Sequence, residues 1–537
     1  MYFTEFITDK LAQFTRTEKD LHGYQLQAKQ FLINNPFSAL FIDCGMGKTA
    51  ISLSAIMDLI GAFETNHVLI IAPVRVANET WPTEIAQWEH TAPLSYSHIR
   101  NELLVETVNK AGDDTRKILM NEAKAEAKSK GLVKNDLAQY VKEIRSSKAT
   151  KMIVEAARLT AAKTAVREFH KKANASVFII NREQVEFLVE AWGRDWPYDT
   201  VIIDESSAFK DHTTNRFKAL KLVRKLIKRM HQLTATPVAE SYVHLFAQLY
   251  LLDMGERLGK NITSYKLNYF NQCRYTMRYT LREGAEAQIT QKISDICLVM
   301  KAEDYLQQEY PTFVFDQVIL SPSEQAIYDS MQTSYVAEMV DGTIVEAETA
   351  AAKSQKLQQI ASGVLYQTVL TLDEYGEMKS DRIVHEIHNH KIDKLQQIID
   401  STESEPLLVA YIMQSSLARL KLAFPHAVVM DKQGKCVTAW NSGKIKLLLF
   451  SPMSAAHGLN LQYGGRRLVF FDIPYSFELY YQAYKRLARQ GQKLSVFVHH
   501  IVAKGSIDYD IAQCLSDKDA TQEKFFELLK KLRKKLI

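Results

Sequence analysis

Within eleven residues, Ala39-Leu-Phe-Ile-Asp-Cys-Gly-Met-Gly-Lys-Thr49, an apolar run gives way to a glycine turn and then to a helical pattern. This stretch constrains the fold more than any other. Ala39 to Ile42 reads as a buried strand. Ala50 to Ile60 has apolar residues at helical spacing and closes on Gly61. A strand, a glycine loop and a helix N-terminus together make an anion site: loop and helix N–H groups face phosphate oxygens, Lys48 adds positive charge, and Thr49 offers a hydroxyl to Mg²⁺. The strict P-loop pattern has a glycine where this chain has Ile42. An ordinary strand-to-helix turn is the alternative reading of the stretch taken alone.

A chain of 537 residues is too long for one core, so two large domains with insertions are expected. Hydrophobic and charged contents of 46% and 24% suit a globular protein. A net charge of +5 permits nucleic-acid binding without arguing for it. Five cysteines are scattered and form no Cys-x-x-Cys pair, which fits a reducing compartment and supplies no zinc framework. No apolar run reaches the ~18 residues of a membrane span, and no signal-like N-terminus is seen. A cytoplasmic location without membrane contact is expected.

Other stretches add chemistry in order along the chain. Tyr24-Gln25 precedes the glycine loop, where a ring and an amide can stack on and hydrogen-bond a purine; surface or core filling is the bland alternative. His67 to Ala72 reads as a second buried strand, and Arg75 follows at its C-terminal end, where ligands of parallel sheets lie. Arg75 is either a phosphate contact or a solvated loop arginine. Residues 101 to 172 are rich in Ala, Lys and Glu and read as inserted helices, with Lys124, Lys128, Lys130, Lys134, Lys142, Arg145, Lys148 and Lys151 outnumbering nearby acids. They form either a grip on nucleic acid or a solvated helical face. Val177 to Ile180 is a strand that ends in Asn181-Arg182-Glu183. Thr200-Val-Ile-Ile-Asp-Glu-Ser-Ser207 places Asp204 and Glu205 at the end of another, suited to hold Mg²⁺ and to orient an attacking water. Thr234 and Thr236 follow a further strand as a link toward a second lobe.

Residues 253 to 390 lack the strand–helix alternation and read as a helical linking region. His385, His388 and His390 within it read as a solvated helix rather than a metal site. Alternation resumes at Pro406, with strands at 407–411, 427–430, 445–450, 467–471 and 496–502. On the helix expected from Phe477 to Gln490, Gln482, Arg486 and Arg489 fall at i, i+4 and i+7 and share a face. Two such arginines can act as arginine fingers; surface charge is the alternative. The chain ends in a basic amphipathic segment, 516–537.

This set and order of motifs resembles the superfamily two helicases, and within them the Swi/Snf-type DNA translocases. Asp43-Cys-Gly-Met-Gly-Lys-Thr49 is similar to their first motif, which also lacks the early glycine. Asp204-Glu205 is similar to the second, Leu233-Thr-Ala-Thr-Pro237 to the third, Ser454 to Leu461 to the fifth, and Gln482-Ala-x-x-Arg486-x-x-Arg489-x-Gly491-Gln492 to the sixth. The stretches 251–259, 356–363 and 451–462 resemble the short phage- and prophage-encoded members. Ser206-Ser207, Ala235 and Ala456 depart from the usual residues without removing a catalytic group.

The resemblance implies an α/β protein with two RecA-like lobes of parallel sheet: lobe one over 1–252, the linking region 253–390, lobe two over 391–515, and a basic C-terminal helix. It implies ATP and Mg²⁺ as cofactors in a cleft between the lobes, with Tyr24, Gln25, Gly45, Gly47, Lys48, Thr49 and Gln482 binding nucleotide. Thr49 and Asp204 hold the metal, Glu205 the water, and Arg486 and Arg489 complete the site. Double-stranded DNA is the expected partner, with single-stranded or branched DNA as alternatives and Arg75, Asn181, Arg182 and Ser454 as backbone contacts. A strand-separating helicase and a non-catalytic DNA-binding scaffold are the rival readings.

Overall fold

The computed structural model describes residues 16–99, 105–132, 134–275, 277–306, 309–339, 343–372, 378–402, 405–431, 434–455 and 459–533. The chain divides into two compact units. The first takes in the described residues up to Leu40 with Lys48–Thr234 and Val243–Leu298. The second takes in Phe41–Gly47, Ala235–Tyr242 and the described residues from Val299 onward.

The first unit is built on a sheet of seven strands: β1 (Phe37–Ile42), β2 (Val68–Ala72), β3 (Tyr96–His98), β4 (Val177–Asn181), β5 (Thr200–Asp204), β6 (Arg229–Thr234) and β7 (Cys297–Met300), in the order β3-β4-β2-β5-β6-β1-β7. The ladders β3–β4, β4–β2, β2–β5 and β5–β6 are parallel. Val68, Leu69, Ile70, Ile71 and Ala72 are all fully buried, because helices cover both faces of a parallel sheet and leave no strand position for water. Burying one such Leu, Ile or Val side chain contributes roughly 1.5–3 kcal/mol. Helix α1 (Gly23–Asn34) precedes β1, and α2 (Lys48–Gly61) follows it.

Between β3 and β4 the expected insertion forms an arm of three helices, α3 (Val105–Ser129), α4 (Lys134–Ser146) and α5 (Lys148–Ala173). The Ser147 side chain caps α5 by accepting from the Thr150 amide at 3.2 Å. At Gly112 of α3 the Arg158 side chain of α5 lies over the glycine, in the space that a Cβ would take. The root of α5 is fixed in the core: His170 stacks on Phe178 with centroids 4.1 Å apart, and Arg167 Nε donates to the Ala191 carbonyl at 2.5 Å.

The second unit carries six strands, β8 (Thr312–Val318), β9 (Leu407–Ala410), β10 (Val428–Val429), β11 (Leu447–Phe450), β12 (Arg467–Phe470) and β13 (Phe497–Ala503), ordered β8-β13-β12-β9-β11-β10 and parallel throughout. Leu408, Phe450, Leu468 and Phe470 meet Trp440 and Leu461 in its core. Helix α6 (Phe477–Tyr484) and the long α7 (Ile507–Arg533) complete it. The side chains of Lys391 and Asp508 form an ion pair of 2.9 Å with no exposure of either.

The region 253–390 carries the expected helices, at Ile262–Tyr269, Ala285–Ile293, Ala302–Tyr305, Pro322–Ser334 and Ala350–Ala361, but it also contributes strands to both units. β7 joins the first sheet and β8 the second. Three antiparallel hairpins lie among the helices, at Phe270–Gln272/Tyr279–Leu281, Val336–Glu338/Ile344–Glu346 and Val364–Leu372/Met378–Glu386. β8 alternates between exposed and covered positions and so lacks the continuous apolar run that marks central strands, whereas β7 is short but fully buried. Of the three histidines only His390 is on a helix, at the start of His390–Ser401. His385 lies on a hairpin strand and meets Gln367 at 3.1 Å, His388 is buried against the Ile360 carbonyl at 3.0 Å, and His390 meets Glu324 at 2.8 Å. The terminal helix begins at Ile507, well before residue 516. Its Phe525 packs on Phe41 and Tyr242, with ring centroids 6.0 and 5.5 Å away.

Candidate functional site

In the first unit the chemistry collects at the C-terminal ends of the parallel strands. Gly45 and Gly47 have φ of +85° and +81°, a left-handed conformation that only glycine adopts without cost, and they turn the chain from β1 into α2. Lys48 and Thr49 therefore stand on the first turn of α2, beside N–H groups that have no intrahelical acceptor. Asp204 ends β5 and is 8% exposed. Its carboxylate accepts from Trp81 Nε1 at 3.0 Å and from the Glu205 amide at 3.1 Å. Burial pushes its pKa up, while the Lys48 ammonium and those two donors hold it down. Glu205, 9% exposed, sits at φ +55°, ψ +61°, rare for a residue with a side chain. The next residue is anchored: Ser206 Oγ donates to Gln248 Oε1 at 3.1 Å.

Tyr24 and Gln25 both lie buried on the first turn of α1. Gln25 Oε1 accepts from the His22 amide at 2.8 Å, and the Tyr24 ring stacks on His22 with centroids 5.4 Å apart. Burial pushes the Tyr24 hydroxyl up to about 12. Ala72 and Asn181 are register partners at the ends of β2 and β4, so Arg75 and Asn181 belong to the same end of the sheet. Their side chains are partly committed to local structure. Asn181 Oδ1 accepts from the Glu183 and Gln184 amides, both at 3.1 Å; Arg75 Nε pairs with Glu79 at 3.1 Å, and Arg182 Nε with Glu183 at 3.0 Å. Thr234, at the end of β6, is fully buried.

The second unit takes in the loop Phe41–Gly47 together with the helix of the sixth motif. Asp43 is a hub. Its Oδ1 accepts from Tyr481 Oη at 2.6 Å, its Oδ2 accepts from the Ala302 amide at 3.0 Å, and Lys485 Nζ lies 3.5 Å away. Gln482 is buried, and its Oε1 has no hydrogen-bond partner among the described residues. A Cβ added to Gly45 would stand 2.9 Å from Arg489 Nε, so the guanidinium lies directly against the glycine. Thr236 is buried in this unit.

One expectation is corrected here. Gln482, Arg486 and Arg489 do not share a helix face, because α6 ends at Tyr484. Beyond it the chain tightens into i→i+3 turns, Arg486 N to Ala483 O at 3.2 Å and Leu487 N to Tyr484 O at 3.1 Å, and bury Leu487 and Ala488. The two arginines converge all the same, each donating from Nη1 to the Leu459 carbonyl, at 3.3 and 3.2 Å. Ser454 is on the short helix Pro452–Ala455, but its side chain, like the whole of Ala456, lies outside the described residues. Trp81 and the Asp43 partners were not anticipated; a buried tryptophan N–H needs an acceptor, and this was the available signal for Trp81.

At the strand ends of the first unit, Asp204 keeps acceptor capacity beyond its two donors, which fits a hard divalent cation. In the second unit, Gly45 and Gly47 form a turn without side chains and the buried Gln482 Oε1 keeps an unused acceptor, which fits a nucleotide.

Known proteins resemble this chain. The SNF2-related domain matches residues 24–363. Protein p41 of Acyrthosiphon pisum secondary endosymbiont phage 1 is 32% identical over 523 residues, covering 95% of this chain and 98% of its own. The chain belongs to the SNF2-related family. Its two units are parallel sheets flanked by helices, the two-lobed α/β architecture expected. The chicken DNA repair and recombination protein RAD54-like is 23% identical over 370 residues, 61% of this chain; this chain spans only half the length of that relative, 50%. The Sulfolobus solfataricus SWI2/SNF2 ATPase core in complex with dsDNA aligns over 95% of both chains at 15% identity, with a TM-score of 0.39. No described helix of this SNF2-related protein is long and apolar enough to cross a membrane.

Proposed function

We propose that the chain is a DNA-dependent ATPase that moves along double-stranded DNA, or remodels DNA–protein and DNA–DNA structures, in the cytoplasm of a bacterial host. The observation that carries this reading is the grouping of Asp204, Glu205 and Lys48 at the strand ends of the first unit, in a chain of the SNF2-related family. Bound Mg²⁺ would neutralise phosphate charge in the reaction. Lys48 and the amides of the glycine loop bind the phosphates, and Tyr24, Gln25 and Gln482 the remainder of the nucleotide. Thr49 and Asp204 hold the metal, and Trp81 fixes the Asp204 carboxylate. Glu205 orients the attacking water, and its backbone holds the carboxylate at one angle. Arg486 and Arg489 stabilise the negative charge that develops as the γ-phosphate leaves. Arg75, Asn181, Arg182 and Ser454 contact the DNA backbone, and binding falls as salt rises.

The test is ATP turnover with duplex DNA, forked DNA, single-stranded DNA and RNA in turn. Duplex DNA is expected to stimulate most, and Lys48→Ala to abolish the stimulated rate. Unchanged turnover in Lys48→Ala would remove the site assignment. A strand-separating activity is the second reading. It is favoured by the nine-pair hairpin Val364–Leu372/Met378–Glu386, which exposes Met378, Ile383 and Val384 as a possible wedge. Fork unwinding would support it; displacement of a triplex strand without unwinding supports the translocase.

A further inference from the structure

The arm α3–α5 carries sixteen Lys and Arg against nine Asp and Glu, a surplus of seven where the whole chain has a surplus of only five. The rest of the protein is therefore slightly acidic, and the basic character resides in the arm.

The surplus is concentrated at one end. Gly112 of α3 lies against Arg158 of α5, and the two helices run in opposite directions, so twelve residues further along α3, at Lys124, the facing position on α5's side is the Ser146–Ser147 turn. At ~1.5 Å per residue this level is about 18 Å beyond the crossing. Helix α4 folds back against α3, with Lys130 Nζ 3.3 Å from Tyr140 Oη and 5.0 Å from its ring centroid. Lys124 and Lys128 of α3, Arg145 of α4, and Lys148 and Lys151 of α5 are thus gathered at the tip. All five are exposed, and none makes an ion pair within the described residues. The acids of the tip are Glu122, Glu126, Asp136 and Glu143. Glu126 is occupied by Lys130 at 2.6 Å, and Glu143 accepts from Gln139 at 2.8 Å. By contrast, several cations nearer the root are paired, Arg116 with Asp113, Lys163 with Glu190, Arg167 with Asp195 and Lys171 with Glu168, while Lys110 and Lys172 make no ion pair within the described residues.

This arrangement works against the stability of the arm itself. Lys124/Lys128 and Lys148/Lys151 are like charges at i,i+4 and i,i+3, which repel along a helix face. Lys148 and Lys151 also lie on the first turn of α5, which holds no acid, at the positive end of the helix dipole. An external polyanion relieves both penalties. We propose that the tip of the arm, formed by Lys124, Lys128, Arg145, Lys148 and Lys151, is a second contact with the phosphate backbone of duplex DNA. The proposal rests on the motor reading for the identity of the polyanion.

The experiment compares the full chain with a variant in which Lys124, Lys128, Arg145, Lys148 and Lys151 are all changed to Glu. A second variant carries Gln at the same positions in case reversal disturbs the arm, and Lys110→Glu/Lys172→Glu serves as a control for charge at the root. Binding to a labelled blunt duplex is followed by anisotropy between about 50 and 200 mM salt, alongside ATP turnover without DNA and the thermal midpoint. The tip variants are expected to lose roughly tenfold or more in affinity, and the slope of log K against log salt to fall by about 0.9 per lost contact. DNA-free turnover stays unchanged, the thermal midpoint does not fall, and the root control binds normally. Wild-type binding that persists in the tip variants with an unchanged slope overturns the arm proposal and leaves the motor reading intact. Equal loss in the root control overturns the assignment to the tip. A wild-type chain that neither binds duplex DNA nor is stimulated by it overturns both readings. Self-association that the tip substitutions abolish, with DNA binding intact, makes the tip a protein-docking face instead.

Discussion

The end of β5 and the tip of the arm belong to the same unit, yet they treat charge in opposite ways. Asp204 and Glu205 are almost wholly buried, and Asp204 is held by Trp81 and a backbone amide. The tip lysines are exposed on solvated helices and have no ion-pair partner among the described residues. A buried charge with fixed partners acts through its position, so one substitution destroys its effect. Exposed charges act through number and are screened by salt, so single losses are tolerated and effects accumulate. Chemistry on a phosphate needs the first kind of charge. Holding a long, uniform polyanion needs only the second.

The contrast is sharpest at Arg489, whose guanidinium lies against Gly45. Arg489→Ala is expected to cut the DNA-stimulated hydrolysis rate by roughly 10³-fold or more while nucleotide still binds, as measured by single-turnover kinetics and equilibrium binding of a fluorescent nucleotide. A rate within a few-fold of wild type would break the comparison, because this guanidinium would then behave like a tip lysine.

Lys391 carries the same logic into stability. Its ammonium pairs with Asp508 at full burial and also donates to the Phe471 carbonyl at 3.2 Å. Lys391→Met leaves the Asp508 carboxylate buried without its cation and should destabilise the fold by about 3–5 kcal/mol in urea unfolding. Lys124→Met at the tip should stay within about 0.5 kcal/mol of wild type. Equal effects at the two sites would show that burial does not separate these charges.

His170 gives the smallest of these effects and connects the arm to the core. Burial among Phe178, Trp192 and Tyr198 pushes its pKa down to about 4, from an ordinary 6.5. It is neutral in the folded chain, whereas the unfolded chain takes up a proton below 6.5. The unfolded state therefore binds more protons between pH 6.5 and 4, and stability is complete above that window and is lost as pH falls through it. At pH 5 the loss from this residue is about 2 kcal/mol. His170→Phe should remove that part of the slope in urea midpoints measured from pH 7 to pH 5, and an unaltered slope would show that the imidazole is hydrated at the root of the arm.

The central strands and the glycine loop were legible because their causes are local. Ala39 to Ile42 is apolar because both faces of its sheet are covered, and Gly45 and Gly47 are glycines because φ is positive there. The arm announced itself by composition. What could not be read depended on distant partners. β8 is an edge strand whose ladder among the described residues is to Phe497–Ala503, far along the chain, and its exposed positions blur the pattern. In the hairpin Val364–Leu372/Met378–Glu386, Lys379, Asp381, Arg382 and Glu386 interrupt the apolar residues of the second strand, whereas the first holds no charged residue and its β-branched residues are a strand signal that the helical spacing around it obscures. Arg486 and Arg489 were placed on a helix by spacing alone, whereas burial of Leu487 and Ala488 bends the chain into turns after Tyr484. The Asp43–Tyr481 hydrogen bond joins residues too far apart in sequence for any local signal.

The left-handed backbone of Glu205 also limits which replacements are informative at that position. Glycine, asparagine and aspartate accept such a conformation more readily than other residues, and β-branched side chains resist it. A Val or Thr at 205 would confound a lost carboxylate with a displaced loop. Gln removes the charge and keeps the backbone demand of the native residue. Gly removes the carboxylate and relaxes the main chain as well, so the same position separates a chemical role from a conformational one.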